Sequence, residues 1–267
     1  GLRGAIYQRW TAGWRGEERE REIATRRARK LAAVLALSYA ICYSLIGIDM
    51  IMSLAAEWVS TMFPAYYAWG GFLSAISMTT VICLVMRNSS ALSGQITTSR
   101  IHDLGKMVFA FSIFWMYLFW TQYFVIWDAN IPEETGFIVN RLGSEFLQDT
   151  WYFAGYFTRL AEPYVHVTLA AWFLIWVIPF WVLLGAQPKK TPAILGTVAA
   201  GSLLGFYLER YILVTPPLIP AKAVLAGAPV TPFGAVELGI AAGFVGLFFI
   251  CFLGFAKVFP GTLSAKS

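Results

Sequence analysis

The sequence predicts an all-α polytopic membrane protein built as an antiparallel bundle of transmembrane helices. The first observation is composition: 58% of the residues are hydrophobic, 13% are charged, and the mean hydropathy is +0.63, unlike a soluble domain. The second is the length of the apolar runs, which suits helices crossing a ~30 Å hydrocarbon core and exceeds the strands of a membrane barrel. Mostly short connections between the runs make neighbouring helices antiparallel.

Six spans are predicted, and they divide the chain into three parts. The spans cover residues 31–56, 64–86, 106–128, 161–186, 191–214 and 233–257. Residues 1–30 are a basic N-terminal segment, residues 31–258 the transmembrane bundle, and residues 259–267 a tail. Because residues 17–30 are charged and helix-prone, we expect them to extend the first helix along the lipid headgroups.

Prolines and glycines predict local features of the later helices. Pro179 is expected to kink the fourth helix. Pro216, Pro217 and Pro220 are expected to end the fifth. Gly201 and Gly205 are spaced for close helix packing.

The basic residues fall mainly on one side of this up-down topology. That side carries Arg3, Arg9, Arg15, Arg19, Arg21, Arg26, Arg27, Arg29, Lys30, Arg87, Arg100, Lys106, Lys189, Lys190, Lys257 and Lys266. The other side receives only Arg141, Arg159, Arg210 and Lys222. By the positive-inside rule both ends of this chain face the cytoplasm, and the connection 129–160 faces outward.

Several classes of site are excluded by residue spacing. Cys42, Cys83 and Cys251 each lie inside a predicted span without a CxxC spacing, so they predict neither zinc nor iron–sulfur ligation. His102 and His166 lie at opposite membrane surfaces, which excludes a shared bis-histidine haem. Without a Walker loop, dinucleotide fingerprint or nucleophile elbow, the chain is expected to bind something lipid-soluble or to move protons.

Asp49 is the sharpest candidate for a proton path. Ser38, Cys42, Ser53 and Ser60 fall on the same face of the first helix at 100° per residue, which makes a polar stripe. Because a charge within a membrane is costly, such a stripe suits a hydrated crevice or proton relay. The alternative is that Asp49 is a buried structural hydrogen-bonding group.

Four further acids complete the predicted path, each with a simpler alternative. Glu57 and Asp128 lie near the outer interface, where solvation is easy. Asp103 lies at the cytoplasmic mouth of the third span, where it also suits an N-cap. Glu209 is a candidate relay group. The alternative is a structural role, in which Glu209 or its neighbour Arg210 forms a salt bridge to another helix.

His166 and Gln122 are polar groups with an open choice of role. His166 suits a hydrogen bond to a quinone carbonyl, a proton relay, or a pair with Glu162. Gln122 is expected to bond across to another helix.

Two segments carry a resemblance to a known family. They are HDLGKMVFAFSIFWMYLFWTQYFVIWDANIPEE at residues 102–134 and IGIDMIMSLAAEWVSTMFPAYYAWGG at residues 46–71. Together with HVTLAAWFLIWVIPFWVLL at residues 166–184, they resemble the NrfD/PsrC-like integral membrane subunits, most closely the ActF type found in the bacterial alternative complex III. The similarity covers most of residues 30–258. Members of this type have about ten helices, so it implies that helices precede this sequence or that the chain is a reduced variant.

The resemblance implies a quinol:electron-acceptor (cytochrome c-type) oxidoreductase of a respiratory or photosynthetic chain in the bacterial cytoplasmic (inner) membrane. Implied partners are iron–sulfur subunits, c-type haem subunits and a related membrane subunit that is the better candidate for quinol oxidation. This chain would hold no haem or cluster itself, and would conduct protons. Asp49 matches the family's intramembrane acid, and His102 and Asp103 match its His-Asp pair.

Three other functions stay open at this point. The chain could itself bind quinone, with His166 as the hydrogen-bond donor. It could be a standalone secondary transporter, although the internal repeat of paired broken helices typical of that class is not evident. A purely structural anchor for the redox subunits is the last, and it leaves the Asp49 stripe unexplained.

Overall fold

A computed structural model describes residues 18–55, 58–87, 96–129, 131–142, 164–219 and 234–258. These residues form helices, and no strand occurs among them, so the predicted all-α fold is confirmed. Six of the helices are long and apolar enough to cross a membrane. The prediction of a multi-pass helical membrane protein is therefore confirmed as well.

The helices are labelled here in chain order. Helix α1 is Glu18–Ile46, and it continues through a π-helical turn at Gly47–Ile51 and a 3₁₀ turn at Met52–Leu54. The others are α2 Phe63–Met86, α3 Thr98–Ala129, α4 Pro132–Leu142, α5 Tyr164–Val182, α6 Ala186–Lys190, α7 Pro192–Leu218 and α8 Ala235–Val258. Helices α4 and α6 are too short to span and were not predicted.

The chain divides into two compact units. One includes α1 up to Tyr39 together with α8, and the other includes residues 40–85 and 96–232. In the first unit, α8 has no buried residue. Its apolar side chains, such as Phe244 and Ile250, are 70% exposed, which suits a helix surrounded by lipid or by other membrane chains.

The second unit has a close-packed apolar core. Its central cluster consists of Ile76, Ile101, Val108, Leu183, Leu195 and Val198. Helices α5 and α7 approach closely at Gly205, where an added Cβ would lie 2.8 Å from Ile175 Cγ1 and 3.3 Å from the carbonyl oxygen of Ala171. The predicted packing role of Gly205 is confirmed, whereas Gly201 has only ordinary contacts.

Helix α6 lies in the connection between α5 and α7 and packs against α3. Lys189 is buried there, with its Cβ 3.0 Å from the position of a Cβ on Gly105. Its ammonium group lies 4.3 Å from the centre of the Phe109 ring. Glycine at position 105 lets the two backbones meet, and the ring compensates part of the cost of burying the lysine.

Prolines lie within α5 and α7 and change the hydrogen bonding of both helices. Before Pro179, α5 forms a π-helical turn at Phe173–Val177, which accommodates the missing N–H. Helix α7 continues through Pro216 and Pro217 and ends at Leu218, four residues beyond the predicted end of the fifth span and two before Pro220. The prolines lie in its last turn, and their missing N–H groups free the carbonyls of residues 212 and 213.

Candidate functional site

Glu209 is the most deeply buried carboxylate among the described residues of the second unit. It lies on α7, about 13 Å along the helix axis from Leu218, and it is 6% exposed. Neither carboxylate oxygen accepts a hydrogen bond of good geometry from the described residues. The phenol of Tyr66, on α2, faces it closely enough to interact. A carboxylate this buried and this poorly bonded is costly, so its position requires a reason.

Arg210 is the nearest cation to Glu209. Its Nη1 lies 3.4 Å from Glu209 Oε2, within range of an ion pair but without hydrogen-bond geometry. Its Nη2 donates to the carbonyl of Tyr67 at 2.9 Å, and the guanidinium lies 3.9 Å from the Tyr67 ring centre. A Cβ at Gly70 would lie 2.8 Å from Nη2, so a side chain at position 70 would force the guanidinium of Arg210 to shift.

Arg141 is a second cation at the site, and α4 supplies it from outside the spans. Its side chain is buried, with 7% exposed. Nη1 donates to the carbonyl of Phe137 at 2.7 Å, and Nη2 donates to that of Leu213 at 3.4 Å. Burial lowers the pKa of the guanidinium from 12.5 to about 9, with Tyr66 and Glu209 opposing the shift. Arg141 is therefore still charged at neutral pH.

Pro217 explains why the carbonyl of Leu213 accepts this bond. In a regular helix the N–H of residue 217 would donate to the carbonyl of residue 213, and proline has no N–H. The freed oxygen would be costly in an apolar setting unless it found another donor. Arg141 supplies that donor, which joins α4 to α7.

A ring stack fixes Arg141 from its other side. The guanidinium carbon lies 3.6 Å from the centre of the Phe137 ring. Trp58 stacks on the same ring, with centroids 3.5 Å apart and an interplanar angle of 6°. Because both groups lie at contact distance, they occupy opposite faces of Phe137 and form a three-layer stack.

Glu209 and Arg141 both line a cavity in this unit. About 70 Å³ of it is accessible to water, room for about five molecules. Most of the lining is apolar or aromatic; it comprises Phe63, Tyr66, Trp115, Phe119, Gln122, Tyr123, Ile126, Phe137, Ile138, Arg141, Thr168, Ala171, Trp172, Glu209, Ile212 and Leu213. A few charged and polar groups in an apolar chamber are typical of a functional site.

Three further polar side chains line the cavity. Two of them donate to backbone carbonyls, and the third has no acceptor among the described residues. Thr168 donates to the carbonyl of Tyr164 at 2.8 Å. Gln122 donates to the carbonyl of Leu118 on its own helix at 3.2 Å, so the expected bond across to another helix is wrong. The indole N–H of Trp115 is buried and has no acceptor among the described residues. Water or a ligand oxygen in the cavity would satisfy it.

The residues of the Asp49 stripe lie mainly on the exposed surface of the protein and not in the Glu209 cavity. Asp49 lies in the π-helical turn and is exposed, as is its neighbour Met50 at 67%. Ser53 is exposed and donates to the backbone carbonyl of Asp49 at 2.6 Å. Ser60 is half-buried, and its N–H lies 3.5 Å from the sulfur of Met52. Asp49 does not line the Glu209 cavity.

The other predicted residues are dispersed. Ser38 is exposed on the part of α1 in the first unit, and Glu57 lies outside the described residues. Asp103 is exposed and pairs with Lys106 at 2.7 Å. It is not the N-cap of α3, since Thr97 Oγ1 accepts the N–H of Arg100 at 3.4 Å there. The exposed residues also include Asp128 and His166, and neither lines the cavity.

The fold and the cavity define the class: a multi-pass α-helical membrane protein with a buried carboxylate beside a water-sized chamber. Within the described ranges, no group of three or more His, Cys, Asp or Glu side chains could hold a metal ion. No protein-family model and no curated protein matches the chain.

Arg141 and Tyr66 are the members of this site that sequence reasoning missed. Arg141 was counted only as one of the few outward basic residues. Its signal was spacing: Arg141 follows Phe137 by four residues and so shares the apolar side of a helix with it. Tyr66 had no signal in the sequence, because tyrosine is common at membrane interfaces.

Proposed function

We propose that this chain is the proton-conducting membrane subunit of a quinol:electron-acceptor oxidoreductase, of the NrfD/PsrC-like class, and that Glu209 is its central proton carrier. The observation that supports this role is a carboxylate 6% exposed, without a hydrogen bond of good geometry, facing a cavity with room for water. A buried acid in a transmembrane helix is costly and is typically functional.

In the proposed mechanism, water in the cavity delivers a proton to a Glu209 oxygen and later removes it. Both oxygens can accept, because neither is held in a hydrogen bond of good geometry. The Arg210 guanidinium at 3.4 Å favours the ionised form, which lets the proton leave again. The aromatic walls limit the contact of bulk water with the carboxylate.

Asp49, Ser53 and Ser60 keep a proposed role as an access region rather than the carrier itself. Their exposed surface would be completed by another membrane chain or by helices outside this sequence. Ser38, Glu57, Asp103, Asp128 and His166 stay predictions of the same kind. Any quinone, haem or iron–sulfur chemistry would be supplied by partner subunits, including a related membrane subunit.

Charge distribution supports the proposed orientation. With both ends of the chain in the cytoplasm of a bacterium, the end of α7 near Leu218 faces outward. Glu209 then lies in the outer half of the membrane, and Arg141 lies at the outer surface. The proposed path therefore runs from Glu209 outward through this cavity.

The test is Glu209→Gln in the complete complex, reconstituted in liposomes. We expect the variant complex to continue oxidising quinol when the proton gradient is dissipated. The number of protons moved per quinol should fall by about 10²-fold, the lower end of the effect of a proton-transfer group on rate. Unchanged proton movement with normal assembly would contradict the proposal.

Glu237→Gln is the matched control for that experiment. Glu237 also lies in a spanning helix, but its carboxylate accepts the N–H of Gly234 at 2.9 Å at the start of α8. Its substitution should leave proton movement unchanged. A loss in both variants would point to general damage rather than to Glu209.

The second candidate is quinol binding in the same cavity. The aromatic lining favours it, as do an unsatisfied donor at Trp115 and an unsatisfied acceptor at Glu209. Bound quinol would supply two-electron redox chemistry, with Glu209 as the acceptor for a hydroxyl proton. A photoreactive quinone analogue that labels Trp115 or Trp172 would support this candidate, whereas labelling confined to the partner subunits would contradict it.

A further inference from the structure

Arg141 balances the charge of Glu209 in the walls of the cavity. With Glu209 ionised, the walls carry one carboxylate and one guanidinium group, a net charge of zero, and Arg210 lies outside the lining with its side chain 25% exposed. The uncharged groups that face the chamber are Gln122 from α3 and Thr168 from α5, and the phenols are Tyr66 from α2 and Tyr123 from α3. When Glu209 binds a proton, the net charge of the walls becomes +1 and no anion is left. An unpaired buried cation is strongly unfavourable.

The two arginines differ in how firmly they are held. Arg210 belongs to a spanning helix, with its side chain 25% exposed, and it contacts the carbonyl and ring of Tyr67. Arg141 belongs to an 11-residue helix outside the spans, and only two carbonyls and a ring hold it. A helix that short has little stability of its own.

Arg141 is therefore the cation that can leave. Its Nη2 bond to the Leu213 carbonyl is long at 3.4 Å, and its Nε has no acceptor in the described chain. Ionised Glu209 is the negative charge that lines the same cavity, and it compensates part of the cost of burying the guanidinium. Removing that negative charge leaves the buried guanidinium without an anion in the walls.

We propose that Arg141 is a positioning residue for the Glu209 proton site: it occupies the cavity while Glu209 is ionised and withdraws when Glu209 is neutral. This rests on the proposed role of Glu209 as a proton carrier. Withdrawal would loosen α4 and open the outer side of the chamber when the proton is ready to leave. Return of Arg141 after deprotonation would close it.

Amide hydrogen exchange of residues 132–142 in the full complex tests this inference. Glu209→Gln imitates the neutral acid at constant pH, so the intrinsic exchange rate stays the same. We expect exchange in α4 to rise roughly five- to tenfold, as local opening becomes easier. Exchange in α2 should not change, which would show that the fold is intact. Unchanged exchange in α4 would overturn the inference.

Arg141→Gln and Arg141→Lys separate charge from structure. In Arg141→Gln the exchange of α4 should no longer respond to Glu209→Gln, because the coupled charge is gone. Arg141→Lys keeps the charge and should restore part of that response. An equal response in all three backgrounds would assign the effect to packing and overturn the inference.

The exchange result and the proton result are independent. If proton movement survives Glu209→Gln but α4 still loosens, the proposed function fails and the charge coupling stands. If proton movement is lost while α4 keeps its protection, the carrier role stands and the role of Arg141 fails.

Discussion

The Glu209 cavity and the Asp49 turn place the same chemistry in opposite surroundings. Glu209 is 6% exposed, lies 3.4 Å from Arg210, and shares a largely aromatic cavity with Arg141. Asp49 is exposed, and its backbone carbonyl, not its carboxylate, receives the hydroxyl of Ser53. The charged and polar groups around Glu209 all belong to this chain. The carboxylate of Asp49 is exposed and available to groups outside the chain.

The difference teaches that a membrane carboxylate is defined by its neighbours on other elements. The partners of Glu209 come from α2 and α4 as well as from α7. The polar neighbours described for Asp49 come from its own helix and the turn after it. Proton affinity can be tuned closely in the first setting, whereas in the second it depends on whatever covers that surface.

Gly70→Val should have the largest effect, and it would break the buried site directly. The new side chain would occupy the place of Arg210 Nη2, which lies 2.8 Å from a Cβ at position 70. We expect a loss of about 3 kcal/mol in the free energy of unfolding, from overpacking and a disrupted ion pair. Reversible unfolding in detergent micelles measures it.

Gly243→Val is the matched control, since nothing in the described chain lies within 4 Å of a Cβ at position 243. Its free energy of unfolding should stay within about 0.5 kcal/mol of the wild type. Equal losses in the two variants would show that Gly70 has no special relation to Arg210.

Asp49→Asn should have an intermediate effect, and it sharpens the comparison from the exposed side. An acid on an open surface can be bypassed by water or by neighbouring groups. We therefore expect proton movement to fall by less than about tenfold, against the 10²–10⁴-fold of an obligatory proton-transfer group. The measurement is proton movement per quinol in liposomes. A loss as large as that of Glu209→Gln would make the two regions equivalent.

Pro217→Ala should have the smallest effect. The new N–H can donate to the Leu213 carbonyl and compete with Nη2 of Arg141. Since one bond of 3.4 Å is weakened, worth about 0.5–1 kcal/mol, exchange in α4 should rise about two- to fivefold. Unchanged exchange would mean that the freed carbonyl does not hold Arg141. Pro216→Ala is the control, because Arg141 does not contact the carbonyl of Ile212.

The spans were predictable because hydrophobic length alone defines them. All six helices occur, and the helical extension of the first span is confirmed by the start of α1 at Glu18, whereas the fifth span runs beyond its predicted end to Leu218. The helix was predicted to end before Pro216 because proline has no N–H to donate to the carbonyl four residues earlier. In the structure Arg141, which is distant in the sequence, donates to the carbonyl of Leu213 instead. Helix α4 was missed because the sequence 132–142 is too short and too mixed to stand out.

The site was predictable only in part, since periodicity orders residues around one helix and does not show which face meets a neighbour. Glu209 was identified as a candidate relay group, but it ranked below Asp49. The stripe that distinguished Asp49 consists of groups on its own helix. The groups that distinguish Glu209 lie on α2 and α4, and no local pattern in the sequence connects them.

The stack of Trp58, Phe137 and Arg141 connects these two regions. Trp58 follows the Asp49 turn by nine residues, and its ring lies 3.5 Å from that of Phe137. A partner that binds near Asp49 and shifts this segment would change how firmly Arg141 is seated. By thermodynamic linkage the reverse must hold with equal magnitude, so the charge state of Glu209 would alter the affinity of that partner.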